Sequence, residues 1–90
     1  MANSAKQHEI VIANQLIRSG WHDTSLMWRT PRIREAATWC RHTFGDMYTD
    51  ITEWGDWYGF VPDESNFVDV NVYFIFRREQ DLTAFLLRWA

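Results

Sequence analysis

The stretch from Phe67 to Trp89 constrains the fold most, because its hydrophobic period changes from two residues to about 3.6. Apolar residues alternate through its first part, so their side chains share one face of an extended strand. These residues are Val68, Val70, Val72, Phe74 and Phe76. The opposite face is mixed, which is typical of a sheet packed on one side. The pattern predicts a strand over 67–76 with one buried face.

An amphipathic helix is predicted directly after this strand. Its apolar residues recur at the spacing of one helical face. They are Leu82, Phe85, Leu86 and Trp89. Acidic residues near its start and Arg88 near its end suit the helix dipole. We expect this helix to fold back over the valine face of the strand.

A capping box predicts a helix near the N-terminus. Ser4 is followed three residues later by Gln7, a pair that satisfies the first amides of a helix. We expect this helix to run from Ala5 to about Arg18 and to stop at Gly20.

A second N-terminal helix is predicted after Thr30, the expected N-cap, with Pro31 in its first turn. Gly45 suits the position just beyond its end. The apolar connection from Trp21 to Arg29 receives no assigned element.

Residues 46–65 predict a strand and a turn before the C-terminal strand. We expect an extended or single-turn segment over 48–53, a strand over 56–61 and a turn over 62–65. The strand should pair antiparallel with 67–76, and a third strand near 46–53 remains open. The prediction is an α+β fold in which helices pack on one face of a small antiparallel sheet, in the order α-α-β-β-α.

The length and composition indicate one domain, residues 1–90, with a hydrophobic core. The single cysteine, Cys40, excludes an internal disulfide and favours a reducing compartment. The sequence shows no secretory signal and no stretch of about 20 apolar residues for a membrane span. We therefore expect a cytoplasmic location and no membrane contact.

Charge is distributed unevenly along the chain. Residues 1–45 hold six Lys or Arg and three Asp or Glu, whereas residues 46–90 hold three Arg and nine Asp or Glu. The second half is therefore strongly acidic, and such blocks favour contact with basic partners.

No catalytic or metal site is predicted. Cys40 and His42 lack further ligands at a zinc spacing, and Cys40 lies on the apolar stripe of its helix. The carboxylates after residue 45 are close in sequence, but nothing in the sequence defines a pocket that would separate their pKa values. We expect no enzyme activity and no cofactor.

The acidic, aromatic segment 46–69 is the main candidate for binding a partner. Tryptophan and tyrosine offer large contact areas with a polar tip, and neighbouring carboxylates would steer a basic protein. The predicted contact residues are Asp46, Tyr48, Asp50, Glu53, Trp54, Asp56, Trp57 and Tyr58. The alternative is that Trp54, Trp57 and Phe60 complete the core while the acids face solvent.

A second candidate is a nucleic-acid-binding module on the second helix. Arginine side chains could contact phosphates there. These residues are Arg29, Arg32, Arg34 and Arg41. The ordinary alternative is a solvated helix face.

The aromatic residues of 39–89 follow a recurring order. It runs Trp39-Cys40-x-x-x-Phe44-Gly45, Trp54-x-x-Trp57, Phe74-x-Phe76-Arg77 and Asp81-x-x-x-Phe85-x-Leu87-Arg88-Trp89. This order resembles short tailed-bacteriophage proteins of unassigned role. The resemblance implies a small intracellular phage protein, and such proteins commonly bind and inhibit a host factor. It supplies no catalytic residues. A homodimer is also expected, because six Trp and six Phe are many for a core of this size.

Overall fold

Three strands form one antiparallel sheet, and helices cover both of its faces. The computed structural model describes residues 4–63 and 70–90. In chain order the elements are α1 (Ser4–Arg18), β1 (His22–Trp28), α2 (Thr30–Phe44), β2 (Trp57–Asp63), β3 (Val70–Phe76) and α3 (Glu79–Trp89). The α+β class and the small antiparallel sheet are confirmed, and the elements that were predicted occur in the predicted order.

Strand β3 lies at the centre of the sheet, whose order is β1-β3-β2. The predicted antiparallel pairing of β2 with β3 is confirmed, with Trp57 opposite Phe76 and Phe60 opposite Tyr73. The turn was expected over 62–65, but β2 continues to Asp63. Residues 64–69, which include the first part of the predicted C-terminal strand, lie outside the described residues.

The third strand is β1, in the connection that had no assigned element. It pairs antiparallel with β3 over its whole length. Its side chains alternate in burial, with Leu26 and Trp28 towards the core and Ser25 and Met27 towards solvent. The third strand was left open at 46–53, but that segment is a turn closed by the Glu53 amide, which donates to the Thr49 carbonyl at 2.8 Å.

Helices α2 and α3 pack on the valine face of β3, as predicted. The centre of this core consists of Phe74, Phe76 and Phe85, each 1% exposed or less. The rings of Phe74 and Phe85 lie 4.6 Å apart, which fixes α3 against the sheet. Cys40 of α2 is fully buried in the same cluster, as its position on the apolar stripe predicts.

Helix α1 covers the opposite face, so the expectation that the helices share one face holds only for α2 and α3. Its residues Ile12 and Leu16 pack with Tyr58, Phe60 and Ile75. The physical reason is that β2 and β3 carry large apolar side chains on both faces, and a second layer must bury the second set.

The helix ends follow the sequence signals, except that α1 and α2 each begin one residue earlier than predicted. At the end of α1, Gly20 has φ 97° and the Trp21 amide donates to the Leu16 carbonyl, the bond pattern of a glycine-terminated helix. In α2 the cap position is Arg29 rather than Thr30, because the Arg29 carbonyl already accepts from the amide of Ile33.

Candidate protein-binding surface

Residues 46–56 connect α2 to β2 and form what we call the acidic turn. Its conformation depends on backbone hydrogen bonds. The Tyr48 amide donates to the Trp57 carbonyl at 2.7 Å, and the Thr49 amide donates to the Trp54 carbonyl at 3.3 Å. The turn is therefore a defined structure that does not require its own side chains to be buried.

Gly55 permits the closest backbone approach in this turn. Its φ is 107°, a left-handed value that favours glycine. A Cβ at this position would lie 2.6 Å from the Cα and the N of Tyr48. Only glycine therefore fits here without displacing the backbone on which the turn closes.

Two arginines after β3 hold the end of the acidic turn. The Asp56 carboxylate accepts from Arg77 Nε at 2.9 Å and from Arg78 Nη2 at 3.2 Å. Arg77 also donates to the Gly55 carbonyl at 3.0 Å, and its guanidinium lies 4.6 Å from the centre of the Trp21 ring. Asp56 was predicted to contact a partner, but its carboxylate is already engaged within the chain.

The exposed part of the acidic turn combines apolar side chains with carboxylates. Ile51 is 90% exposed and Trp54 is 78% exposed. Asp46, Asp50 and Glu53 are exposed around them. We call these five residues the acidic aromatic surface. Large apolar groups left in water on an ordered backbone are typical of a surface that another protein covers.

A cavity of 510 Å³ opens beside Trp54. Its lining includes the carboxyl-bearing residues Asp46 and Asp56 and the hydroxyl-bearing residues Thr49 and Thr52. The Asp56 carboxylate is already paired with Arg77 and Arg78, so the Trp54 ring and the Asp46 carboxylate are the groups of this lining that suit a cationic side chain.

Asp50 links the acidic aromatic surface to α1. Its carboxylate lies 3.0 Å from His8 Nε2, and the side chains of His8 and Asp50 are 61% and 38% exposed. An exposed pair of this kind contributes little to stability. Its effect is to orient the Asp50 carboxylate beside the turn.

Three of the predicted contact residues lie in the core or at its edge. Trp57 is 1% exposed, and its Nε1 donates to the Gly45 carbonyl at 2.8 Å. Tyr58 is 4% exposed, and Tyr48 is half-buried with its ring 5.5 Å from that of Trp21. The alternative that Trp54, Trp57 and Phe60 complete the core is therefore correct for Trp57 and Phe60, which are 1% and 9% exposed, and wrong for Trp54. Tyr58 is buried as well, because it lies on the other face of the strand from Trp57 and both faces are covered.

Burial also changes the chemistry of two titratable groups. Burial, with a smaller effect from the carboxylates of Glu9 and Asp50, raises the pKa of Tyr58 to about 12. Burial likewise raises the pKa of the Cys40 thiol to about 12, against a smaller opposing effect of Arg41. Cys40 therefore lacks the thiolate that a nucleophile or metal ligand needs at neutral pH.

The four arginines of the alternative prediction do not form one row. Arg32 lies over the rings of Trp28 and Trp89, at 4.8 and 5.3 Å, and donates to the Trp89 carbonyl. Arg34 and Arg41 are exposed and seven residues apart, so both lie on the side of α2 opposite to Arg32. Arg29, at the cap position, is exposed. The nucleic-acid interface stays a prediction, and one of its four residues is occupied in packing α2 against α3.

Ile51 is the contact candidate that sequence reasoning left out of the predicted set. The sequence could have indicated Ile51 as a contact residue, because a β-branched apolar residue between Asp50 and Thr52 in a polar turn has no local structural role. The signal is weak without the structure, since a short strand would explain the same residue.

Within residues 4–63 and 70–90, no three His, Cys, Asp or Glu residues are grouped to hold a metal ion. Over the same residues, no helix has the length and apolar character to cross a membrane. No protein-family model matches this chain, and no curated protein or solved structure matches it.

Proposed function

We propose that this chain is a non-catalytic binding protein that docks its acidic aromatic surface onto a basic protein. The observation that carries the proposal is Trp54, which is 78% exposed at the rim of a carboxylate-bearing cavity. Its backbone is held in place by hydrogen bonds and by the arginines behind it. A rigid aromatic side chain loses little conformational entropy on binding, which is why tryptophan dominates many interface energies.

The chemistry of the surface selects a lysine- or arginine-rich partner. A partner arginine in the cavity would stack on the Trp54 ring and pair with Asp46. Ile51 would be covered by an apolar side chain next to that arginine. The surrounding carboxylates would raise the association rate for a positively charged protein.

The partner class within this proposal is a host protein that handles nucleic acid. The resemblance to short tailed-bacteriophage proteins supports a host factor as the target, in the cytoplasm of the host cell. A basic nucleic-acid site on that factor would be occupied by the acidic aromatic surface, which would inhibit or modulate it. The proposal includes a homodimer, because Ile10, Ile17 and Leu87 also remain exposed outside this surface.

The test begins with capture from a host lysate using the tagged chain, followed by titration of the purified partner. We expect a basic protein, and an affinity loss of about 30-fold for Trp54→Ala, which corresponds to a hot spot of roughly 2 kcal/mol. Equal affinity of Trp54→Ala and the unchanged chain would refute the proposal. Nucleic acid recovered without protein would instead support the arginine alternative.

A matched pair of charge variants separates local contact from net charge. Asp46→Lys with Glu53→Lys alters the acidic aromatic surface, whereas Asp23→Lys with Glu35→Lys alters exposed acids elsewhere. Both pairs change the net charge equally. We expect the first pair to abolish binding and the second to lower only the association rate modestly. Equal losses would show that net charge alone drives association.

A further inference from the structure

A cleft of 590 Å³ lies between α2 and α3, apart from the acidic aromatic surface. Residues of both helices form its walls. They are Arg34, Glu35, Thr38, Trp39 and His42 of α2 and Arg88 and Trp89 of α3. The α2 residues recur at intervals of three or four, so they share one side of that helix. The cleft has no residue in common with the acidic aromatic surface.

The two arginines of the cleft are available to bind an anion. Arg34 and Arg88 are exposed, and within residues 4–63 and 70–90 neither is paired with a carboxylate. The Arg88 guanidinium lies 4.7 Å from the centre of the Trp89 ring, which positions it at the wall of the cleft. A guanidinium offers a planar pair of donors that matches two phosphate oxygens. In a chain of net charge −3, these two cations make the cleft a locally favourable place for a phosphate.

Trp39 provides an aromatic surface in the same cleft. Its side chain is half-buried, so part of the indole remains accessible. Its ring contacts Phe44, Phe85 and Trp89 at interplanar angles of 88°, 52° and 70°. None of these three rings is stacked parallel to the indole. A flat heteroaromatic group can therefore stack on its accessible part, and every nucleobase has a face suited to such a contact.

Glu35 restricts the class of ligand. Its carboxylate is exposed in the cleft and would repel an acidic peptide, which brings several negative charges close together. The same carboxylate can accept hydrogen bonds from the hydroxyls of a sugar or from the amino group of a base. Two guanidinium groups, a ring for stacking and a carboxylate acceptor together match the phosphate, base and sugar of a nucleotide.

We propose that the cleft between α2 and α3 binds a nucleotide, with its phosphate held by Arg34 and Arg88 and its base stacked on Trp39. This site differs from the nucleic-acid interface predicted from the sequence, because it adds Trp39 and Arg88 and does not include Arg29 or Arg32. It is independent of the proposed function. Since the two surfaces share no residue, the chain would hold a nucleotide and a basic protein at the same time.

Titration followed by NMR tests the site. The six tryptophans give six indole N–H signals, and Trp39→Phe identifies the signal of Trp39. At low ionic strength, we expect adenosine monophosphate to shift the Trp39 signal and to leave the Trp54 signal in place. Adenosine and inorganic phosphate, which each carry half of the ligand, should bind more weakly. Inorganic phosphate that binds as tightly as the monophosphate would overturn the stacking on Trp39.

A short single-stranded oligodeoxyadenosine distinguishes the two sources of a nucleotide. Tighter binding than that of the monophosphate would identify a strand as the ligand, and equal binding would identify a free nucleotide. A Trp39 signal that neither probe shifts at millimolar concentration would overturn the proposal.

Arginine variants separate the cleft from the interface predicted from the sequence. Arg34→Gln and Arg88→Gln should each weaken binding about tenfold, because each removes a charge-assisted hydrogen bond to the phosphate. Arg29→Gln is the matched control, since it removes the same charge from an exposed position of α2 outside the cleft. We expect it to bind almost as the unchanged chain does. Unshifted signals of the buried Trp28 and Trp57 verify the fold of each variant. Equal losses for Arg29→Gln and Arg34→Gln would overturn the cleft as the site.

Discussion

Trp54 and Trp57 are three residues apart and have opposite environments. Trp54 is 78% exposed in the acidic turn, whereas Trp57 is 1% exposed at the start of β2. Trp57 stacks on Phe74 with ring centres 6.3 Å apart and donates a hydrogen bond to Gly45. Among residues 4–63 and 70–90, no ring stacking or side-chain hydrogen bond of this kind buries Trp54. The same residue type thus stabilises the fold at one position and is free to bind at the other.

The core around Trp57 and the acidic turn around Trp54 are held in their conformations by different kinds of contact. The core around Trp57 is ordered by side-chain packing, so its residues depend on one another. The acidic turn is ordered by backbone hydrogen bonds, by the hydroxyls of Thr49 and Thr52, which accept from its amides, and by Arg77 and Arg78, which pair with Asp56. The side chains of Ile51 and Trp54 take part in none of these contacts, so we expect them to be replaceable without loss of the turn.

The largest expected effect comes from truncating the buried member of the pair. Trp57→Ala should lower the free energy of unfolding by about 3–5 kcal/mol, because it removes a large buried side chain and leaves a cavity. Trp54→Ala, the matched control, should change it by less than about 0.5 kcal/mol. Denaturant unfolding measures both. Comparable losses for the two variants would mean that Trp54 contributes to the core and would weaken its assignment as a contact residue.

The sequence predicts the α+β class and the C-terminal half of the fold because the signals there are local. The alternation before Phe76 and the helical spacing after it each require only their own residues. The strand β1 was missed because Asp23 is of a type depleted in strands and because the apolar run Leu26-Met27-Trp28 obscures the alternation of apolar and polar residues. Its burial comes from pairing with β3, a contact between residues distant in sequence.

The candidate site could be predicted only as a segment. Composition located the acidic aromatic stretch, but composition does not indicate which aromatic side chains face the solvent. Trp57 and Tyr58 point to opposite faces of one strand, and both faces are covered because α1 crosses the second one. The position of α1 depends on long-range packing, so the burial of Tyr58 follows from the tertiary structure alone.

A loss of stability of intermediate size is expected at Gly55, where the backbone of the acidic turn lies against the backbone of Tyr48. Gly55→Ala should cost about 2–3 kcal/mol, because it combines a left-handed conformation with a contact of 2.6 Å to Tyr48. Gly20→Ala is the control, since Gly20 has a similar φ of 97° and no atom near the added Cβ. It should cost about 1 kcal/mol. Thermal unfolding compares them, and equal losses would show that the turn relaxes freely.

The smallest expected effect on stability concerns Tyr58. This core residue is coupled to the acidic turn, because the Asp50 carboxylate is one of the groups that raise its pKa. The folded pKa of about 12 lies above the unfolded value of 10.0. The neutral phenol therefore contributes stability that is fully present below pH 10 and is lost as the pH rises towards 12. At a pH one unit above the unfolded value, the loss should be roughly 1 kcal/mol.

Tyr58→Phe isolates this contribution, because Cys40 titrates in both proteins and its effect cancels in the comparison. Urea unfolding at pH 8 and at pH 11 should show a larger loss for the unchanged chain than for Tyr58→Phe. Asp50→Asn should reduce the difference slightly, since burial is the main cause of the raised pKa and the carboxylate is a lesser one. Identical losses in the unchanged chain and in Tyr58→Phe would mean that the phenol ionises in the folded protein. In that case Tyr58 would be accessible to solvent and would belong to the open turn rather than to the closed core.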